Sequence, residues 1–144
     1  MPAVGSAPVR LCLAPLVALV IVALSFITAA PARAAVGASG GRLTSGVAVH
    51  PVIAVGGQQL SYTFSGAIGH HVTFDVSATT WHNGTAAGSA KLYVYNPSGG
   101  YVAFLGMSST PTHLDFTPTA TGTYTVNLVP DSNSTGSATI KPTF

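Results

Sequence analysis

The chain has 144 residues and a formal net charge of +2, and only 6% of its residues are charged. So few basic side chains disfavour binding to nucleic acid or to anionic lipid, since both need several lysines or arginines on one face. The sequence has no glutamate and one cysteine, Cys12. A domain without disulfides must be stabilised by its hydrophobic core.

The first 34 residues have the layout of a secretory signal peptide. Residues 1–10 are basic, residues 11–30 are apolar, and Ala32-Arg33-Ala34 provides small residues at positions −3 and −1 of a cut after Ala34. Because the apolar run follows Cys12 instead of preceding it, Cys12 is interpreted as a small hydrophobic residue and not as a lipidated anchor.

A membrane anchor is the alternative for this N-terminal segment. The apolar run approaches the length of about 20 residues that a helix needs to span a bilayer. An uncleaved hydrophobic helix would leave the N-terminus in the cytoplasm and the domain outside. Pro15 and the Ala-x-Ala site favour cleavage. The expected location is therefore secreted or extracellular, with membrane attachment as the alternative.

The segment after the cleavage site divides into a linker and a domain. Residues 35–45 are small and glycine-rich, and we expect a flexible linker there. Residues 46–144 form the predicted domain, and residues 35–144 together contain three basic residues and three aspartates, so the predicted mature chain is neutral.

Short β-branched and aromatic segments separated by turn signals predict an all-β domain. In the segment after Gln59, Leu60, Tyr62 and Phe64 share one strand face while Ser61 and Thr63 share the other. Such alternation predicts an antiparallel two-sheet sandwich, jelly-roll-like, with about eight strands and one packed face per sheet. The predicted strands cover residues 47–55, 59–65, 71–79, 89–95, 101–105, 113–117, 123–129 and 137–142.

Three segments resemble the bacterial pre-peptidase C-terminal domain, a secreted β-sandwich appended to exported peptidases and other surface proteins. They are residues 57–64 (GQQLSYTF), 92–99 (LYVYNPSG) and 120–126 (ATGTYTV). The resemblance implies an accessory module without catalysis that binds a ligand or assists maturation of a partner domain. Asn96 departs from the family's Asp-Pro-x-Gly turn. Tyr124 has the position of a tyrosine corner, with its hydroxyl bonded to the preceding loop.

The sequence offers no catalytic motif, and we expect no enzyme activity. Glycoside hydrolysis needs two carboxyl groups, but the domain has only three scattered aspartates, and Asp75 and Asp115 lie on polar strand faces. No Gly-x-Ser-x-Gly nucleophile elbow is present.

We expect neither a bound metal nor any other cofactor. The histidines lack a His-x-His or His-x3-His spacing, and we interpret them as turn and edge residues. The segment after Asp131 matches the first half of a calcium loop, but Pro142 occupies the position of the bidentate glutamate. A hairpin turn is the preferred interpretation, and a weak calcium site is the alternative.

Aromatic residues give the candidate ligand-binding positions. Trp81, the only tryptophan, lies beside a turn, where an exposed indole would stack on a sugar ring or anchor a protein. Tyr93 and Tyr95 share a strand face and would extend that surface, with Leu92 and Val94 packing behind them. The alternative is that Trp81 covers the end of the core.

Together these features predict a secreted, non-catalytic accessory or binding module at the cell surface or outside the cell. Its partner would be a polysaccharide, a cell-wall component or a protein, and not nucleic acid. The alternative is a structural or interaction protein tethered to the membrane by its N-terminal helix.

Overall fold

The computed structural model describes residues 38–144, which form twelve β-strands and no helix. The predicted signal peptide, its cleavage site and the N-terminal hydrophobic helix lie outside the described residues. Residues 38–144 contain no helix that is long and apolar enough to span a membrane. The strands are β1 (Ala38–Arg42), β2 (Val52–Ile53), β3 (Leu60–Gly66), β4 (Val72–Ser77), β5 (His82–Asn83), β6 (Ala86–Ala87), β7 (Ala90–Tyr95), β8 (Tyr101–Met107), β9 (Thr112–Phe116), β10 (Gly122–Pro130), β11 (Gly136–Ser137) and β12 (Thr139–Thr143).

Two sheets form the two layers of the domain. The larger has five strands in the order β1-β3-β10-β7-β8, and the smaller has three in the order β12-β4-β9. Two short two-stranded sheets, β11-β2 and β5-β6, complete the fold. All pairings are antiparallel except that of β1 with β3, which is parallel.

Aromatic side chains fill the space between the layers. The ring of Phe64 on β3 lies 5.6 Å from that of Phe74 on β4 and 5.3 Å from that of Tyr124 on β10. All three residues are buried. The period-two alternation therefore places its apolar side inside, which confirms an all-β sandwich with one packed face per sheet.

The structure corrects the predicted number and bounds of the strands. The segment predicted as a linker contains β1, which pairs with β3 at Ser39–Ser61 and Arg42–Thr63. The glycines of this segment give no strand pattern in the sequence. They nevertheless allow β1 to approach the Tyr62 side chain closely, because a Cβ at Gly40 would lie 2.3 Å from its ring atoms. The β5-β6 hairpin around Asn83-Gly84 was also not predicted as strands, because it is only two residues long on each side.

Two turns hold the strand ends in place. The Tyr124 hydroxyl donates to the Ala120 carbonyl oxygen at 2.9 Å, which confirms the predicted tyrosine corner. In the β7-β8 turn, Asn96 Oδ1 accepts bonds from the Ser98 and Gly100 amides at 3.1 and 2.7 Å. An aspartate in this position offers the same acceptor oxygen, so the departure at Asn96 preserves the turn.

Candidate ligand-binding face

Trp81 lies in the core, which corrects the expectation of an exposed indole. Its side chain is only 4% exposed and belongs to the main hydrophobic cluster. The backbone around Gly136 makes room for it, since a Cβ there would lie 2.9 Å from the Trp81 ring and 2.2 Å from the Thr80 carbonyl oxygen. An indole buried this deeply presents no ring face to a ligand at the surface. The placement agrees with the alternative, in which Trp81 covers the core.

Tyr93 and Tyr95 point away from the core on the outer side of the five-stranded sheet. Their neighbours Leu92 and Val94 are fully buried, whereas both tyrosines are partly exposed. The alternation predicted for this strand is therefore correct. Because Trp81 lies on the core side, these tyrosines do not extend a surface formed by it.

Two further aromatic residues join them from β8. Phe104 lies opposite Tyr93 with ring centroids 6.1 Å apart, and Tyr101 lies opposite Tyr95 at 6.4 Å. Phe104 is 52% exposed and Tyr101 58%. Tyr93, Tyr95, Tyr101 and Phe104 together are called the aromatic face below.

Sequence reasoning missed Phe104 and Tyr101 because of a β-bulge. Strict alternation along β8 would place residues 101 and 104 on opposite sides of the sheet. The register shifts between Tyr95 and Val94, so Val102 has no partner on β7 and both aromatic residues face outward. The only signal in the sequence is the uninterrupted apolar segment that follows Gly99-Gly100.

Neutral polar side chains continue the same outer surface across β10 and β3. Asn127 pairs with Tyr93 and Thr125 with Tyr95 in the β10-β7 register. Ser61 and Thr63 follow on β3. The outer surface of the sheet therefore combines two aromatic pairs with a row of hydroxyl and amide groups.

The charge beside the aromatic face is paired. Lys91 Nζ lies 2.6 Å from Asp131 Oδ1, and Ser89 Oγ donates to Asp131 Oδ2 at 2.6 Å. The hydrogen bond from Lys91 and the one from Ser89 lower the pKa of the Asp131 carboxyl, and the same Asp131 contact raises the pKa of Lys91. The ion pair leaves this end of the surface without net charge.

The Asp131 segment, predicted as a turn or a weak calcium site, forms a turn. Both carboxylate oxygens of Asp131 are already bonded to Lys91 and Ser89, and the segment forms a turn closed by the Ser134 amide on the Asp131 carbonyl. Within residues 38–144 no three histidine or acidic side chains are grouped for a metal ion. His113 Nε2 lies 3.4 Å from Asp115 Oδ2 on the exposed outer surface of the three-stranded sheet.

Comparison with known proteins identifies the fold. No family model matches the chain, and no curated protein matches its sequence. The crystal structure of the pre-peptidase C-terminal domain of collagenase from Bacillus anthracis is similar, with a TM-score of 0.57 at 16% identity. The match covers 74% of this chain and 95% of that domain. The resemblance carried by residues 57–64, 92–99 and 120–126 is confirmed for the fold, and residues 38–144 have a pre-peptidase C-terminal-like fold.

A second solved structure shows a weaker likeness. It is a periplasmic inhibitor of g-type lysozyme from Aeromonas hydrophila, 10% identical, with 74% of this chain and 97% of that one covered. Its TM-score of 0.49 is too low to define a shared fold.

Proposed function

We propose that this protein is a secreted, non-catalytic binding module that holds a neutral polysaccharide on its aromatic face. The observation behind the proposal is the outward placement of Tyr93, Tyr95, Tyr101 and Phe104 as two ring pairs on one sheet. Contiguous exposed apolar surface rimmed by polar groups commonly marks a binding site.

The chemistry of this surface suits a sugar polymer. The C–H faces of pyranose rings pack on aromatic rings, and sugar hydroxyls exchange hydrogen bonds with amide and hydroxyl side chains. Thr125 stands directly beside Tyr95 in the sheet, and Asn127 stands beside Tyr93 with its Oδ1 buried. A row of aromatic rings along two paired strands also suits an extended chain or the surface of an insoluble polymer.

The few basic residues on the larger sheet favour a neutral ligand over a polyanion. Lys91 beside the aromatic face is neutralised by Asp131, which leaves Arg42 as a single cation at the other edge of the sheet, where it donates to Ser65 at 2.6 Å. Binding to a polyanion would require several unpaired basic groups on one surface. We therefore expect ligand retention to depend little on salt concentration.

The proposal that the protein is exported rests on its N-terminal segment, residues 1–34. The proposal that it lacks enzyme activity rests on the scattered positions of Asp75, Asp115 and Asp131. The alternative retained from the sequence is an interaction protein tethered by an uncleaved helix. Intact mass and fractionation of the full chain distinguish them: a soluble product starting at residue 35 supports secretion, and a full-mass membrane product supports tethering.

The binding test is depletion of residues 38–144 from solution by insoluble chitin, cellulose, peptidoglycan or collagen. This segment contains all of the hydrophobic core that the described part of the chain forms, from Leu43 onward. We expect retention on a polysaccharide matrix, with Tyr93→Ala and Phe104→Ala each weakening it about tenfold or more, or about 1.4 kcal/mol. Ile68→Ala is the matched control, because Ile68 is an exposed apolar residue in the loop after β3.

Three results would contradict the proposal. Retention on no matrix would remove the binding role, and equal retention of Tyr93→Ala and the parent would place the ligand elsewhere. Retention on collagen alone would identify a protein ligand in place of a polysaccharide.

A further inference from the structure

Strand β8 is an open edge of the five-stranded sheet. It pairs with β7 on one side, and within residues 38–144 no strand lies on the other. The backbone groups of residues 101–107 that face away from β7 have no backbone partner among the described residues. Such a row of N–H and C=O groups can accept another strand.

The other edge strands of the two main sheets contain charged residues, proline or irregular pairing, which hinder the addition of another strand. Of these features, β8 has only an irregular register at one end. Edge strand β1 ends in Arg42 and has an irregular register. On the smaller sheet, β12 contains Lys141 and Pro142, and β9 exposes His113 and Asp115. Charges, proline and irregular pairing are the means by which natural sheets block edge contacts. The sequence of β8, YVAFLGM, has neither charge nor proline.

The irregular part of β8 is confined to one end. The bulge lies at Val102, and residues 103–107 pair in regular register with β7. This regular stretch includes Phe104, which is 52% exposed, and Gly106, around which a Cβ would meet nothing within 4 Å. The stretch therefore has the extended geometry that an added strand requires, and the sheet face at residue 106 has room for a larger side chain.

We propose that β8 pairs antiparallel with β8 of a second copy of this chain, joining the two larger sheets into one. An uncharged strand meets itself without repulsion, and the described residues contain as many lysines and arginines as aspartates, which favours self-association. A twofold axis through this edge brings the two Phe104 side chains together on the same outer surface, where aromatic cross-strand pairs are stabilising.

The assembly stops at two copies. A twofold contact uses the same surface of both chains and is closed. The edge left free in each sheet is then β1, which contains Arg42 and the irregular register. The dimer would place two aromatic faces side by side, and a polymeric ligand that spans both would be held more tightly than by one. The dimer itself does not depend on the identity of any ligand.

Sedimentation equilibrium of residues 38–144 over a range of concentrations tests the proposal. We expect a monomer–dimer equilibrium, with hydrogen exchange of the residues 101–107 amides slowing as concentration rises. Phe104→Glu and Gly106→Glu each place two carboxylates at the interface and should weaken the dimer at least tenfold. Gly106→Glu leaves the aromatic face intact and has room for its side chain. Ile68→Glu, the control on a distant loop, should dimerise like the parent.

A monomer at every concentration would overturn the proposal, as would a dimer that both edge variants leave unchanged. These results are separate from those of the matrix test. A monomer that binds polysaccharide contradicts only the dimer, and a dimer that binds no matrix contradicts only the ligand.

Discussion

Asn96 shows how one side chain determines the turn that presents the aromatic face. Its Oδ1 accepts three bonds, from the Ser98 amide, the Ser98 hydroxyl and the Gly100 amide. The turn also needs a glycine at position 99, where φ is +83°. Tyr95 and Tyr101 flank this turn, so their separation depends on its conformation.

Replacement of Asn96 should separate its acceptor role from its size. Asn96→Asp keeps the acceptor oxygen, and we expect the free energy of unfolding to stay within about 0.5 kcal/mol of the parent. Asn96→Ala loses the acceptor and should cost about 1–2 kcal/mol. Urea denaturation at neutral pH measures both. Equal losses in the two variants would show that Oδ1 does not stabilise the turn.

Asp131 gives the domain a predicted dependence on pH. Because Lys91 and Ser89 lower its pKa in the folded state, its contribution to stability is present above the unfolded pKa and is lost as pH falls through the folded value. Because the pKa of Lys91 is raised in the folded state, its contribution to stability is present below the unfolded pKa and is lost as pH rises through the folded value. The ion pair therefore stabilises the domain across the neutral range.

Thermal unfolding of Asp131→Asn as a function of pH checks this expectation. The parent should lose more stability than the variant between neutral and strongly acidic pH, and added salt should reduce the difference because the pair is partly exposed. Lys141→Gln, which removes a lysine elsewhere, should keep the acid sensitivity of the parent. If Asp131→Asn lost as much stability at acidic pH as the parent, Asp131 would not be the source of the acid sensitivity.

At the scale of elements, Gly66 fixes the packing of β3 against β10. A Cβ at this position would lie 2.7 Å from ring atoms of Tyr124, and that ring is fully buried. The ring cannot move aside, since its hydroxyl is bonded to Ala120 and its face stacks on Phe64.

Gly66→Ala should therefore destabilise the domain by about 1–3 kcal/mol through overpacking. Gly106→Ala is the matched control, because no atom lies within 4 Å of the added Cβ and the replacement should be close to neutral. Urea denaturation of both variants provides the comparison. A Gly66→Ala variant as stable as Gly106→Ala would show that the Tyr124 ring has room to shift.

The elements also show what the sequence could predict. Strands with clean alternation, such as β3 and β10, were predicted to within a residue or two, because the apolar and polar sides differ along their whole length. Strand β1 could not be predicted, since its pairing uses backbone groups and its side chains carry no pattern. Of the four residues of the candidate site, Tyr93 and Tyr95 follow from the alternation along β7. The position of Phe104 and Tyr101 depends on the β8 bulge, and the apolar segment after Gly99-Gly100 does not show where that bulge lies.

At the scale of the whole molecule, the two outer surfaces of the sandwich differ in chemistry. The larger sheet presents the aromatic face, neutral polar groups, the paired Lys91 and, at its edge, Arg42. The smaller sheet presents Asp75, His113, Asp115 and Lys141. We expect an insoluble neutral ligand to contact the larger sheet while the charged sheet faces solvent. This orientation leaves the charged surface to keep the bound module hydrated.

We propose that the aromatic face is the ligand site. NMR titration of residues 38–144 with a soluble oligosaccharide, cut from the matrix that retains the domain, tests it most directly. We predict the largest shifts at Tyr93, Tyr95, Tyr101, Phe104 and Asn127, with Trp81 and the three-stranded sheet unchanged. Shifts centred on His113 and Asp115, or no shifts with any polysaccharide fragment, would contradict the account.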